Sequence, residues 1–153
     1  MVFPASTTTE RAVNTVAGGD EHGNTSATAV GAAQVSLGLV VRREEPFVVL
    51  TITGDLEMSS VPGFRQAVIE ALADGDRHII VDFGGTDFID STGLGALIGA
   101  LKRVRVLEGS LQIVCPQERL QELFELTDLH KVFTLHETVA EVVEAGLPSE
   151  AIS

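Results

Sequence analysis

Tryptophan and tyrosine are absent from this chain of 153 residues, and its seven aromatic side chains are all phenylalanine. Aromatic platforms of the kind that stack single-stranded nucleic acid are therefore not expected. Basic side chains are scarce: 10 Lys and Arg stand against 22 Asp and Glu, a formal net charge of −12. Direct binding to nucleic acid is disfavoured, because nothing on such a surface drives counterion release from a phosphate backbone. A basic partner protein or a small molecule stays open. The single cysteine, Cys115, excludes an internal disulfide and any multi-cysteine metal site. Lying in an apolar strand-like run, it reads as a buried and inert thiol. No apolar stretch reaches roughly 18 residues, and no basic segment followed by an apolar one opens the chain. No membrane span is expected, and the chain reads as cytoplasmic.

What is present is a 44% apolar composition, enough for one globular domain with a core of its own. Residues 1–34 differ from the rest. Thr7-Thr8-Thr9, Ala17-Gly18-Gly19 and Thr25-Ser26-Ala27-Thr28-Ala29 are small and polar without periodicity. Such composition buries too little apolar surface to offset chain entropy, so a flexible arm is expected. Val13 and Val16 are the only hints that part of it docks. The domain then runs over residues 35–153.

Val35–Arg42 and Phe47–Thr53 are β-rich and separated by Arg43-Glu44-Glu45-Pro46, which predicts an antiparallel hairpin. Gly54-Asp55-Leu56-Glu57 breaks the run. Ser59 or Ser60 is the expected cap of a helix with Pro62 in its first turn, a stripe of Val61, Phe64, Val68 and Leu72, and Gly75 at its end. His78–Phe83 is continuously apolar enough for a strand buried on both faces. A helix from about Thr92 to Leu107 follows, with Leu94, Leu97, Ile98, Leu101 and Val104 inward. Leu111–Cys115 is a strand; Leu120, Leu123 and Phe124 mark a helix; Val132–Leu135 reads as a short strand, and Val139, Val142 and Val143 as a last helix. The order β-β-α-β-α-β-α-β-α predicts an α/β domain: a mixed, mostly parallel central sheet with helices, and the hairpin as its antiparallel edge.

The fragment Phe88-Ile89-Asp90-Ser91-Thr92-Gly93-Leu94-Gly95 places two hydroxyls and a carboxylate where a strand gives way to a helix. A hydroxyl there is a natural N-cap for unpaired amides. The same position tolerates an added phosphate, which the helix dipole favours by roughly 0.3–1 kcal/mol. The glycines leave room for another molecule's backbone to approach. A serine nucleophile is disfavoured, since the nucleophile elbow needs glycine two residues either side of the serine and position 89 is Ile. His22, His78, His130 and His136 offer no evident relay. No Gly-Lys-Ser/Thr ends a glycine-rich loop, so a P-loop is excluded. Asp55, Glu57, Asp87 and Asp90 are conceivable Mg²⁺ ligands, yet carboxylates in loops are ordinarily solvated.

Asp90-Ser91-Thr92-Gly93-Leu94-Gly95, following Ile79-Ile80-Val81-Asp82-Phe83, resembles the core motif of STAS-domain anti-sigma-factor antagonists, usually Asp-Ser-Ser/Thr-Gly-Leu-Gly. Thr53-Gly54-Asp55-Leu56-Glu57 is similar to that family's Gly-Glu-Leu-Asp turn, with the two acidic types exchanged. The resemblance extends over residues 35–146 and implies a single STAS-like domain. It implies a partner-switching regulator, not an enzyme, with no cofactor of its own. The dephosphorylated antagonist would bind an anti-sigma factor that is also a serine kinase and so release a sigma factor. Phosphorylation of Ser91, with Thr92 the second candidate, would end binding, and a PP2C-type phosphatase would reset it. Asp90 would position or polarise the acceptor hydroxyl. Asp55, Glu57, Ser59, Gly93, Leu94 and Gly95 would form the partner-binding surface. ATP and Mg²⁺ would belong to the kinase. The alternative is a STAS scaffold or nucleotide- or small-molecule-sensing module without a phospho-switch.

Overall fold

The computed structural model describes residues 10–13 and 37–148. Its centre is a six-stranded sheet in the order β1-β2-β3-β4-β5-β6. The strands are β1 (Glu10–Val13), β2 (Leu37–Glu44), β3 (Phe47–Gly54), β4 (His78–Gly85), β5 (Ser110–Val114) and β6 (Leu135–His136). The first three are antiparallel neighbours; β3 through β6 are parallel. Each parallel step passes through a helix: α1 (Val61–Ala73), α2 (Ser91–Val106) and α3 (Glu118–Leu126). A last helix, α4 (Val139–Ala145), follows β6.

The central strands are apolar without alternation because both their faces are covered. One face carries the main core, in which Leu50, Ile52, Ile79, Val81 and Phe83 meet Phe64 and Val68 of α1 and Leu97, Leu101 and Val104 of α2. The other carries a smaller cluster of Phe47, Val49, Ile80, Val114 and Val142, closed by α4. Cys115 is fully buried in the main core, and burial pushes its thiol up to about 11, so it stays protonated and unreactive.

Three expectations change. Within the segment read as a flexible arm, Glu10–Val13 pair with Leu39–Arg42 as an antiparallel edge strand; the remainder of residues 1–34 lies outside the described residues. Val132–Leu135 is not a strand: a 3-10 turn at Leu129–Lys131 precedes it, and pairing is confined to Leu135 and His136. Phe133 is instead drawn into the main core, edge-on to Phe124 at 6.2 Å between ring centres. Ser60 occupies the N-cap of α1 but makes no side-chain cap bond, its hydroxyl being engaged elsewhere.

Candidate functional site

The site lies at the carboxyl ends of β3 and β4. Gly54 closes β3 with a positive φ of 105°, a conformation that favours glycine, and this turns the chain out of the sheet. Leu56 then drops back into the core, fully buried, and leaves Asp55 and Glu57 half-buried on either side. The Ser60 hydroxyl fixes this acidic turn. It donates to the Asp55 carbonyl at 2.7 Å and accepts from the Glu57 amide at 3.0 Å. Ser59 is exposed and donates to Glu57 Oε2 at 2.9 Å.

Beyond β4 a second loop runs alongside the first. Leu56 and Ile89 form a parallel bridge. The Leu56 amide donates to Phe88 O at 2.9 Å, and the Asp90 amide donates to Leu56 O at 3.1 Å. Two buried or half-buried polar side chains hold this loop down. Where the β3–β4 register slips between Thr51 and Thr53, the Thr86 hydroxyl donates to Ile52 O at 3.1 Å. The Gln117 amide, at the N-cap of α3, donates to the carbonyls of Phe83 and Thr86, each at 2.8 Å. A buried carbonyl left without a donor is destabilising, so these bonds fix the loop's path.

Asp90 is the N-cap of α2. Its backbone is extended, with φ −95° and ψ −176°, and Oδ1 accepts from the Gly93 amide at 2.8 Å. Oδ2 accepts from the Met58 amide at 3.3 Å. One carboxylate therefore caps the helix and ties it to the acidic turn. This corrects the expectation of a hydroxyl cap: a carboxylate satisfies the same amide and interacts more strongly with the dipole. It also redirects the role expected of Asp90, whose oxygens face backbone amides rather than the serine hydroxyl. Ser91 becomes the first helical residue and is exposed, and its side chain has no hydrogen-bond partner among the described residues. Thr92 is half-buried behind it.

The glycines divide. A Cβ on Gly93 would lie 2.5 Å from Leu56 O and 2.9 Å from Ile89 Cγ2. Gly93, expected on the open surface, is buried: its bareness lets the helix start sit on the acidic turn. A Cβ on Gly95 would meet nothing within 4 Å, and Gly95 is exposed as expected. Leu94 is half-buried against the core. Sequence reasoning missed Met58 and Phe88, which stand 69% and 51% exposed beside the helix start. The signal for Phe88 was the alternation Asp87-Phe88-Ile89, in which a buried Ile89 forces its neighbour outward.

The catalytic alternatives lack geometry. His78 opens β4 at the far end of a strand about 25 Å long, with Nδ1 2.9 Å from Ser110 Oγ. His136 meets Gln112 and His130 meets Phe124 O. No histidine reaches Ser91 among the described residues. No group of three or more His, Cys, Asp or Glu side chains is placed to hold a metal among them, and both oxygens of Asp90 are already engaged. No described helix is long and apolar enough to cross a membrane.

Comparison with known proteins agrees with this architecture. The STAS domain family model matches residues 39–142. The anti-sigma-B factor antagonist of Staphylococcus aureus is 28% identical over 103 residues, spanning 67% of this chain and 95% of that protein. An anti-sigma factor antagonist from Mycobacterium paratuberculosis superposes with a TM-score of 0.66 at 24% identity, over 72% of this chain and 93% of its own. SpoIIAA of Bacillus, in its phosphorylated form, superposes with a TM-score of 0.57 at 21% identity, over 70% and 97%.

Proposed function

The chain belongs to the STAS domain family, and from that premise we propose that it is an anti-sigma-factor antagonist switched at Ser91. In this reading the dephosphorylated chain binds an anti-sigma factor that is also a serine kinase, and a sigma factor is released. Phosphate on Ser91 ends the binding, and a PP2C-type phosphatase restores it. The protein is a regulator acting in the cytoplasm, and the kinase supplies ATP and Mg²⁺. Asp55, Glu57, Ser59, Leu94 and Gly95 surround the acceptor on the partner-facing side, while Asp90 and Gly93 hold the frame beneath it.

The carrying observation is the division of labour between Asp90 and Ser91. Because the carboxylate does the capping, the hydroxyl is left outward with no structural duty. Modifying it leaves the fold's own bonds intact. A phosphate adds about −1.5 to −2 charge at a helix start whose amides tolerate it, beside Asp90 and close in sequence to Asp87. A charge pair at 4 Å near a surface is worth up to about 4 kcal/mol, and about 1.4 kcal/mol is tenfold in affinity. Docking is lost while the domain stands. The names of the relatives and the phosphorylated form of the Bacillus neighbour support the same reading.

The test is intact-mass analysis after incubation with the chain's own anti-sigma kinase and ATP. One phosphate is expected on Ser91, and Ser91→Ala should take up none and stay bound when ATP is supplied. Phosphate landing elsewhere, or binding that survives phosphorylation of Ser91, defeats the proposal.

A further inference from the structure

The exposed side of α2 has two chemically opposite ends. Ser91, Gly95, Lys102, Arg105 and Val106 are exposed, and at 3.6 residues per turn they fall within one stripe about 100° wide. Around its N-terminal end stand Asp55, Glu57, Asp87 and Asp90, with Met58 and Phe88 as exposed apolar neighbours. Around its C-terminal end stand Lys102, Arg103 and Arg105, with Val106 79% and Leu107 41% exposed; Glu108 is exposed among them, and Asp74 and Asp76 lie at the same end of the sheet, Asp76 paired with Arg43. The three cations form no ion pair among the described residues. Between the ends, added Cβ atoms on Gly95 and Gly99 would meet nothing within 4 Å, so another backbone can come close.

This surface complements itself under a two-fold rotation. If two α2 helices lie antiparallel about an axis near Ile98 and Gly99, the middle of Ser91–Val106, each acidic end meets a basic end. Met58 and Phe88 then face Val106 and Leu107. Both sets of contacts form at once, as an isologous interface requires, whereas a parallel arrangement sets like charge on like. We propose that this face is a self-association surface on which a second copy of this chain docks through antiparallel α2 helices.

The footprint of one helix face, about 24 Å by about 10 Å, is far below the roughly 800 Å² per partner of a stable complex. The pairing is therefore weak, reversible and salt-sensitive. Ser91 lies inside it, so the pair and any partner docking at Ser91 exclude each other, and the chain's own concentration sets how much of that face is available. The proposal uses only this chain's surface and stands or falls apart from the phospho-switch.

Sedimentation of the full chain over a wide concentration range, at about 0.05 M and about 0.5 M salt, reads the equilibrium directly. Dimer is expected at low salt and loss of it at high salt. Lys102→Glu with Arg105→Glu should weaken pairing about tenfold or more, and so should Asp55→Lys with Glu57→Lys. Mixing the two variants should restore association, because each end then meets its opposite again. A Gly99→Cys variant should form a disulfide-linked dimer on oxidation without interference from the buried Cys115, while Lys131→Cys should not. A chain that is monomeric throughout, variants that pair as well as the parent, or a mixture that fails to recover overturns the proposal. Cross-linking that is equal at positions 99 and 131 overturns it too.

Discussion

The two ends of the parallel sheet use the same kinds of residue to opposite effect. At the amino end, side chains pair with side chains or with nearby carbonyls: Arg43 with Asp76, His78 with Ser110, and Arg77 with Leu72 O. At the carboxyl end, Asp90, Ser60, Thr86 and Gln117 are all bonded to backbone, and three of the four reach across more than thirty residues. The amino end is closed by these pairs. The carboxyl end is a frame of fixed main chain around the exposed Ser91 hydroxyl, which makes no bond of its own among the described residues. Long-range bonds from side chain to backbone build the site, whereas side-chain pairs and short-range bonds seal the other edge.

Deleting the buried anchor of the carboxyl end should have the largest effect. Leu56→Ala removes a fully buried side chain and is expected to destabilise by about 2–5 kcal/mol in urea titration. It should also loosen the Phe88–Asp90 segment in amide exchange before the amino end opens. Equal exchange at both ends would erase the distinction.

Each end also has a glycine at a tight crossing, which gives a matched pair. An added Cβ would come 2.5 Å from Leu56 O at Gly93 and 2.0 Å from Arg77 O at Gly109. Both Gly→Ala changes are expected to cost about 1–3 kcal/mol, while Gly95→Ala, with open space, should raise the melting temperature by virtue of helix propensity, at most about 1 kcal/mol. Asp90→Ala comes next, losing about 1 kcal/mol as a cap and freeing the Met58 amide, whereas Ser91→Ala should leave stability unchanged within about 0.5 kcal/mol.

The smallest effect is in pH. Burial lowers the pKa of His78, and of His136 despite Glu141 nearby. Their folded-state pKa values lie below the unfolded value near 6.5, so the unfolded chain binds protons first as pH falls. Stability is fully present above about pH 6.5 and declines below it. A urea series from neutral to acidic pH should show this, and His78→Gln should flatten it while Ser91→Ala leaves the curve as it is.

The helices and strands were readable because their signals are local. Val61, Phe64 and Val68, or Leu97, Leu101 and Val104, repeat at the helical period and are buried where that period puts them. The pair of motifs was readable as two separate segments. What joins them was not, since Leu56–Ile89 and Met58–Asp90 link residues about thirty apart and leave no periodic trace. The choice between Asp90 and Ser91 as cap was equally hidden, because both residue types cap well and a shift of one residue decides which is exposed. Ser60 and Gln117 gave no warning, because a serine near a helix start and a glutamine after a proline have many ordinary uses. Glu10–Val13 joins the sheet through backbone pairing, which composition does not record.

The bridge between Leu56 and Ile89 has a consequence for when the serine's surroundings come into being. A peptide spanning residues 86–95 contains every letter of the motif but not the acidic turn, which arrives from the other side of a complete crossover. During synthesis the turn leaves the ribosome first and waits, unpartnered, until α1 and β4 have folded back upon it. The surface around Ser91 thus reports that β3, α1, β4 and the start of α2 have come together, which a peptide carrying the motif alone cannot reproduce.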